Sequence, residues 1–235
     1  MPHENSMTRP ILILSDFDGT ICTMDMGNEV LNQFTRQEWR RIDADYCAGK
    51  IGSREAYGRM SAIFRGTREE MLGYIHRHER MDPHFFEFWR FCTHRGIDLK
   101  ITSDGLDFYI DVILKKYGLE AIEFFANRTS FSEEGLLSIT FPQASRDCGR
   151  CGTCKRLILE GYRPFYEKIF YVGDGYSDVC AAGKADLVFA KNVLYEKCQE
   201  GGIACIPYET FLDVQNHLES ILSHRNDNLA GLIKS

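Results

Sequence analysis

Asp16 and Asp18 stand two residues apart in Asp16-Phe17-Asp18-Gly19-Thr20, directly behind the apolar run Ile11-Leu12-Ile13-Leu14. In extended backbone, residues i and i+2 face the same way, so the two carboxylates can share one pocket. Close, unpaired carboxylates repel and raise one another's pKa, and a divalent cation relieves this. With both groups ionised, the first can attack phosphorus as a nucleophile and the second can move a proton. That is chemistry for phosphoryl transfer. The apolar run predicts a central strand of a parallel sheet, and open α/β sheets bind ligands just beyond the carboxyl ends of such strands. On its own, an Asp-x-Asp strand end also reads as a turn or a helix cap.

Three later stretches have the same character. Ile97-Asp98-Leu99-Lys100-Ile101-Thr102 runs into Ser103-Asp104-Gly105. Lys155 opens a predicted helix over 154–162, and Ile169-Phe170-Tyr171-Val172 runs into Gly173-Asp174-Gly175-Tyr176-Ser177-Asp178. Singly, Ser103 is a helix cap, Lys155 a surface lysine and Asp174-Gly175 a turn. Together and in this order they resemble the four signatures of the haloacid dehalogenase-like (HAD) phosphatases. The resemblance implies that Asp16 attacks phosphorus and that Asp18 first protonates the leaving group, then activates water. It implies that Ser103 and Lys155 hold the phosphoryl oxygens. It further implies Mg²⁺ bound by Asp16, the backbone carbonyl of Asp18 and Asp174, with Asp178 orienting the metal shell, and substrate contacts at Asp104 and Gly105.

The elements that must place these groups follow from pattern. Far more chain separates Asp16 from Ser103 than the dozen or so residues a crossover needs. Helices are predicted over 26–34, 37–48, 53–64 and 67–78, with Ser53 and Thr67 as N-caps and Thr67-Arg68-Glu69-Glu70 as a capping box. Another helix starts at Asp82-Pro83 and stops at Gly96, and one over 107–117 stops at Gly118. Segments 124–131 and 136–141 flank Ser132-Glu133-Glu134-Gly135 and predict a β-hairpin. Strands over 187–190 and 203–206 then alternate with helices over 193–200 and 211–222, and a polar tail begins at His224. The fold class expected is α/β: a doubly wound parallel sheet with an inserted helical cap and a small hairpin. The catalytic core is expected over 8–24 and 82–235, the cap over 25–81, and a disordered leader over 1–7, ahead of the second methionine.

Composition narrows the class. The chain has 235 residues, 44% hydrophobic, with a net charge of −6, enough for one large α/β domain and a small accessory one. Lysines and arginines are dispersed, which argues against a nucleic-acid partner. No apolar stretch approaches the roughly 20 residues that span a bilayer, and no secretion signal precedes the first strand, so a cytoplasmic protein is expected. The nine cysteines are an odd number, against a complete disulfide framework. Cys148, Cys151 and Cys154 are set apart by C-x2-C-x2-C spacing. They read as a structural Zn²⁺ site needing a further ligand, as a reversible disulfide, or as free thiols in a tight loop. Since the cluster ends at Lys155, whatever holds it would position that lysine.

An inserted helical cap with a following hairpin resembles the phosphoserine-phosphatase-like branch. Asp25 and Glu29 sit where the chain enters the cap. They read either as contacts to the polar or cationic end of a substrate or as helix-start acids favoured by the macrodipole. Within the branch, Asp16 to Ile21, Ser103 to Phe108 and the cysteine-rich approach to Lys155 resemble methionine-salvage phosphatases acting on 2-hydroxy-3-keto-5-methylthiopentenyl-1-phosphate. Phosphoethanolamine and phosphocholine phosphatases share a similar approach, and Gly175-Tyr176-Ser177 and the short cysteine spacing depart from the salvage pattern. The resemblance therefore implies a Mg²⁺-dependent phosphatase for a small phosphorylated metabolite. Phosphoserine, phosphoethanolamine and phosphocholine stand as alternative substrates, a catalytically silent scaffold as the non-enzyme alternative, and the oligomeric state is open.

Overall fold

In the computed structural model, residues 9–35, 37–132 and 137–232 are described. The expected leader, residues 133–135 of the expected hairpin turn and residue 136 of its second strand lie outside them. Strand β1 (Arg9–Ser15) leads into α1 (Met26–Phe34), α2 (Trp39–Cys47), α3 (Ser53–Ser61) and α4 (Arg68–His78), then α5 (Phe85–Arg95) and β2 (Asp98–Leu106). After α6 (Asp107–Lys116) come β3 (Phe124–Phe131), β4 (Leu137–Thr140) and α7 (Lys155–Tyr162). The remainder alternates β5 (Tyr166–Gly173), α8 (Val179–Ala182), β6 (Leu187–Ala190), α9 (Asn192–Gly201), β7 (Ile206–Pro207) and α10 (Phe211–Leu232).

The strands form one sheet in the order β4-β3-β2-β1-β5-β6-β7, parallel throughout except for β3 against β4. This is the doubly wound α/β fold expected. Strand β1 is central because both its faces are covered: Ile11 and Ile13 enter one apolar cluster, Leu12 and Leu14 the other. Asp82 pins the start of α5 and the start of α10, accepting from the His84 and Phe211 N–H groups. Thr67 and Glu70 form the capping box of α4, and Gly96 closes α5 in the left-handed conformation at φ 64°.

Several local expectations are corrected. Gly52, not Ser53, occupies the N-cap position of α3, and the Ser53 hydroxyl is used elsewhere. Gln37 at φ 67° cannot join a helix, so α2 begins at Trp39, and α3 stops at Ser61, short of 64. The expected β3–β4 hairpin is present, and β3 also runs parallel to β2, so that it extends the main sheet. The last strand shrinks to Ile206–Pro207, since proline offers no N–H to continue a ladder. Helix α10 passes position 222 and continues to Leu232; no glycine or proline interrupts the chain before Gly231. Among the described residues no helix is long and apolar enough to cross a membrane.

Candidate active site

Parallel neighbours put the carboxyl ends of β1, β2 and β5 side by side, and with them Asp16, Ser103 and Asp174. The Asp16 N–H donates to Val172 O at 2.8 Å, tying this position to β5. Asp16 Oδ1 accepts from the Phe17 N–H at 2.7 Å and lies 2.7 Å from Lys155 Nζ. Lys155, the first residue of α7, is buried, and its ammonium also reaches Asp178 Oδ1 at 2.6 Å. Burial alone would lower the pKa of this ammonium; the Asp16 and Asp178 carboxylates outweigh burial and hold it well above its ordinary value. It is a fixed cation.

Asp178 has all its capacity spoken for. Oδ1 accepts from Lys155 and from the Tyr171 hydroxyl at 2.6 Å, while Oδ2 accepts from the N–H groups of Asp174 and Gly175 at 3.0 and 2.9 Å. It thereby fixes both the lysine and the loop carrying Asp174. Asp174 in turn accepts from the Thr20 hydroxyl at 3.0 Å. One oxygen each from Asp16, Asp174 and Asp178 fall within 4.8 Å of one another, and among the described residues this is the one such group of three. Burial, and then repulsion from Asp178, raises the pKa of Asp16 and of Asp174. Gly19 permits the crowding: its φ is +71°, and a Cβ there would meet Asp174 Oδ2 at 2.3 Å.

The Asp18 side chain stands apart from that cluster. Oδ1 accepts from the Met26 N–H at 3.0 Å, and Oδ2 from the Tyr109 hydroxyl at 2.5 Å. Burial, then the nearby Asp25 charge, pushes its pKa up to about 7, where a carboxyl can both give and take a proton. Ser103 lies beside it, its hydroxyl 3.4 Å from Asp18 Oδ2 and accepting from the Gly105 N–H at 2.9 Å.

A cavity of about 340 Å³ opens above these groups, with Asp16, Asp18, Ser103, Asp104, Gly105 and Asp174 on its floor. Its far wall comes from the helices after β1: Leu31, Tyr46, Cys47, Ala56, Tyr57 and Met60. Asp25 also lines it, but as the N-cap of α1 its carboxylate accepts from the Asn28 backbone and side-chain nitrogens at 2.8 and 2.7 Å. Burial brings its pKa up to about 6. Glu29 is not on the cavity wall, and its carboxylate accepts from the Tyr74 hydroxyl at 2.9 Å.

The cysteine-rich loop serves through its backbone. Asp104 Oδ1 accepts from the Thr153 N–H at 2.8 Å, and Asn127 donates to the Asp104 carbonyl at 2.6 Å. Ser53 accepts from the Gly152 N–H at 3.1 Å, and the Arg150 guanidinium donates to the carbonyls of Gly49 and Ile51. The thiols of Cys148, Cys151 and Cys154 are free, ranging from exposed to buried, and do not gather as metal ligands or form a disulfide. The Zn²⁺ expectation thus finds no support. Sequence reasoning missed Tyr109, Tyr171, Asn127 and Thr20, all of which enter by tertiary contact.

Comparison with known proteins gives a consistent result. The model of the Putative Phosphatase family matches residues 11–193. The 2-hydroxy-3-keto-5-methylthiopentenyl-1-phosphate phosphatase of Geobacillus kaustophilus is 33% identical over 222 residues, covering 91% of this chain and 97% of its own. The protein of the same name from Brevibacillus brevis is 30% identical, covering 92% and 98%. Among solved structures, a phospho-aspartyl intermediate analogue of phosphoserine phosphatase superposes with a TM-score of 0.69 at 22% identity, over 89% of this chain and 99% of that one. A HAD family hydrolase from Salmonella enterica serovar Typhi gives 0.67 at 20% identity, over 87% and 70%. At such identities these structures speak for the fold.

Proposed function

The chain belongs to the Putative Phosphatase family, and from that premise we propose that it hydrolyses 2-hydroxy-3-keto-5-methylthiopentenyl-1-phosphate, through an aspartyl-phosphate on Asp16. The observation that carries the substrate is the cavity wall. Among the described residues no lysine or arginine lines it, so the carboxylate of phosphoserine would be buried there with no counter-charge from them. Leu31, Ala56 and Met60, with the rings of Tyr46 and Tyr57, instead suit an uncharged thioether tail. The named activity of the Geobacillus and Brevibacillus relatives supports the same substrate. We place the reaction in the cytoplasm and treat the segment from Asp25 to Met81 as the cap that closes over it.

The donor set fits Mg²⁺. Three carboxylate oxygens converge, and burial and mutual repulsion, partly opposed by Lys155, disfavour the ionised form of Asp16, a cost that a hard cation bound among them would offset. Asp16 and Asp174 would hold the ion with the Asp18 carbonyl, while Asp178, already committed to Lys155 and the loop, would orient the set. When bound, the ion supplies charge neutralisation to the transferring phosphoryl group.

In the first half-reaction an Asp16 oxygen forms a bond to phosphorus as the ester P–O bond breaks. The electron pair leaves on the alcohol oxygen, which takes a proton from Asp18. In the second, water attacks phosphorus and passes a proton to Asp18, and the electron pair of the acyl-phosphate bond returns to Asp16. Ser103 and Lys155 meet the phosphoryl oxygens in both halves, where positioning and charge supply most of the catalysis.

A second reading has its own observation. Asp25 and Asp43 line the same cavity as Tyr46 and Tyr57, a set able to take an ammonium group, as in phosphoethanolamine or phosphocholine. Measuring kcat/KM with Mg²⁺ for the thiopentenyl ester, phosphoserine, phosphoethanolamine and phosphocholine decides between them. Preference for either amine ester overturns the thioether assignment. Absence of a phosphorylated Asp16 peptide after acid quench would overturn the covalent route.

A further inference from the structure

Behind Asp18 lies a side chain that neither the signatures nor the cavity wall includes. Tyr109 is the third residue of α6, fully buried, and its hydroxyl sits 2.5 Å from Asp18 Oδ2. That separation is typical of a charge-assisted O–H···O bond. The ring is held on two sides, by Phe17 at 6.3 Å between centroids and by Phe108 at 5.6 Å. The space through which the hydroxyl reaches Asp18 exists because position 105 is glycine. A Cβ there would lie 1.9 Å from the Tyr109 hydroxyl oxygen and 2.4 Å from Asp18 Oδ2.

We infer that Tyr109 is a positioning residue for proton transfer: its O–H fixes the orientation in which Asp18 meets the leaving group. The Met26 N–H holds Oδ1 and the Tyr109 O–H holds Oδ2, so the carboxyl group is gripped at both oxygens. The Ser103 contact, at 3.4 Å, is the longer of the two side-chain contacts to Oδ2. As the Asp18 proton moves to the departing alcohol oxygen, the O–H electron pair stays on Asp18. The Tyr109 O–H and Met26 N–H then meet the new carboxylate charge. Tyr109 keeps its own proton throughout and so donates to Asp18 Oδ2 in both half-reactions.

The inference rests on Asp18 as the proton carrier, and its test separates the two. Tyr109→Phe keeps the ring and removes only the hydroxyl. The readout is kcat/KM, which reports steps through formation of the acyl-phosphate, for an alkyl phosphate and for 4-nitrophenyl phosphate. An alkoxide needs a proton to leave and 4-nitrophenolate does not. With Mg²⁺ present and folding checked by thermal melting, Tyr109→Phe is expected to lower kcat/KM for the alkyl ester about 10-fold or more while moving the aryl ester less than about twofold. Asp18→Asn should show the same selectivity more strongly, and adding Tyr109→Phe to it should cost nothing further. If Asp18→Asn is selective but Tyr109→Phe is silent, or lowers both esters alike, the positioning role is overturned. If Asp18→Asn itself affects both esters alike, the assignment of Asp18 fails, and the role of Tyr109 with it.

Discussion

Replacing Lys155 by methionine tests the electrostatics of the site most directly, because the substitute has similar length and no charge. The lysine is 2% exposed, with its Nζ 2.7 Å from Asp16 Oδ1 and 2.6 Å from Asp178 Oδ1. At an effective dielectric of about 20 each contact is an attraction of roughly 6 kcal/mol, much of it cancelled by desolvating the ions. Breaking such a pair from one side costs about 3–5 kcal/mol, since the surviving charge stays buried. At about 2–4 °C per kcal/mol for a chain of this size, the melting temperature should fall by about 6–20 °C in chelator. The loss must also depend on pH. Without the lysine, burial and repulsion from Asp178 act on Asp16 unopposed, so the folded variant holds that proton more tightly than the unfolded chain does. A raised acid of this kind destabilises progressively as pH climbs above the unfolded value of about 3.9 and imposes nothing below it. The gap between variant and parent should therefore narrow toward pH ~4, and Mg²⁺ should close part of it at neutral pH. Scanning calorimetry across that range checks this. Equal melting temperatures at every pH would refute the buried-cation argument, and retained turnover would refute the role of Lys155 at the phosphoryl group.

Asp16→Asn should abolish hydrolysis without lowering the melting temperature by more than a few degrees, as phosphate release assays and calorimetry would show; wild-type turnover would remove Asp16 as nucleophile. Activity should require Mg²⁺ and be suppressed by Ca²⁺, whose larger and looser shell lets a carboxylate bind through both oxygens, so that neither is left to attack; titrating each ion into chelated enzyme tests this. Gly19→Ala should lower kcat more than about 10-fold, because the residue would need φ +71° and its Cβ would strike Asp174; unchanged kinetics would show that the floor can yield. Asp104→Ala should lower activity clearly while Cys151→Ser stays within about twofold, since the loop before Lys155 is held by hydrogen bonds to its backbone. The reverse order, read from paired kinetics, would return the clamp to the thiols.

The acids at strand ends were legible because three rules act together there. Apolar runs mark buried strands, parallel sheets bind ligands at carboxyl ends, and residues two apart share a face. Thus Asp16, Ser103 and Asp174 could be placed together from sequence, and helices with local start and stop signals, such as α4 with its Thr67 box, followed closely. What failed to show was any contact fixed by packing between distant elements. Tyr109 meets Asp18 only because α6 follows directly on β2, the sheet neighbour of β1, and nothing in Asp107-Phe108-Tyr109-Ile110 marks the tyrosine as different from its apolar neighbours. Asp178 could be found by its spacing from Asp174, but not its binding to Lys155 and Tyr171, which makes it an anchor.

The cysteine loop is the most instructive case. Three thiols at regular spacing drew attention to sulfur, whereas the informative residues are glycines and their partners. A Cβ at Gly152 would lie 2.5 Å from the Asn127 side chain and 2.9 Å from Asp104, and one at Gly52 would lie 2.1 Å from the Arg150 carbonyl oxygen. These close approaches fasten the segment before Lys155 on two sides at once. Asp104 and Asn127 hold it to the sheet through Thr153, while Gly52, Ser53 and Arg54 hold it to the start of α3 through Gly152 and Arg150. Helix α3 also carries Ala56, Tyr57 and Met60, which line the cavity where the substrate tail would sit. One short loop therefore joins the element proposed to contact the tail to the lysine proposed to meet the phosphoryl group. A displacement of α3 by a poorly fitting tail would be felt at Lys155 through two or three hydrogen bonds, so mismatch in the tail should depress kcat as well as raise KM.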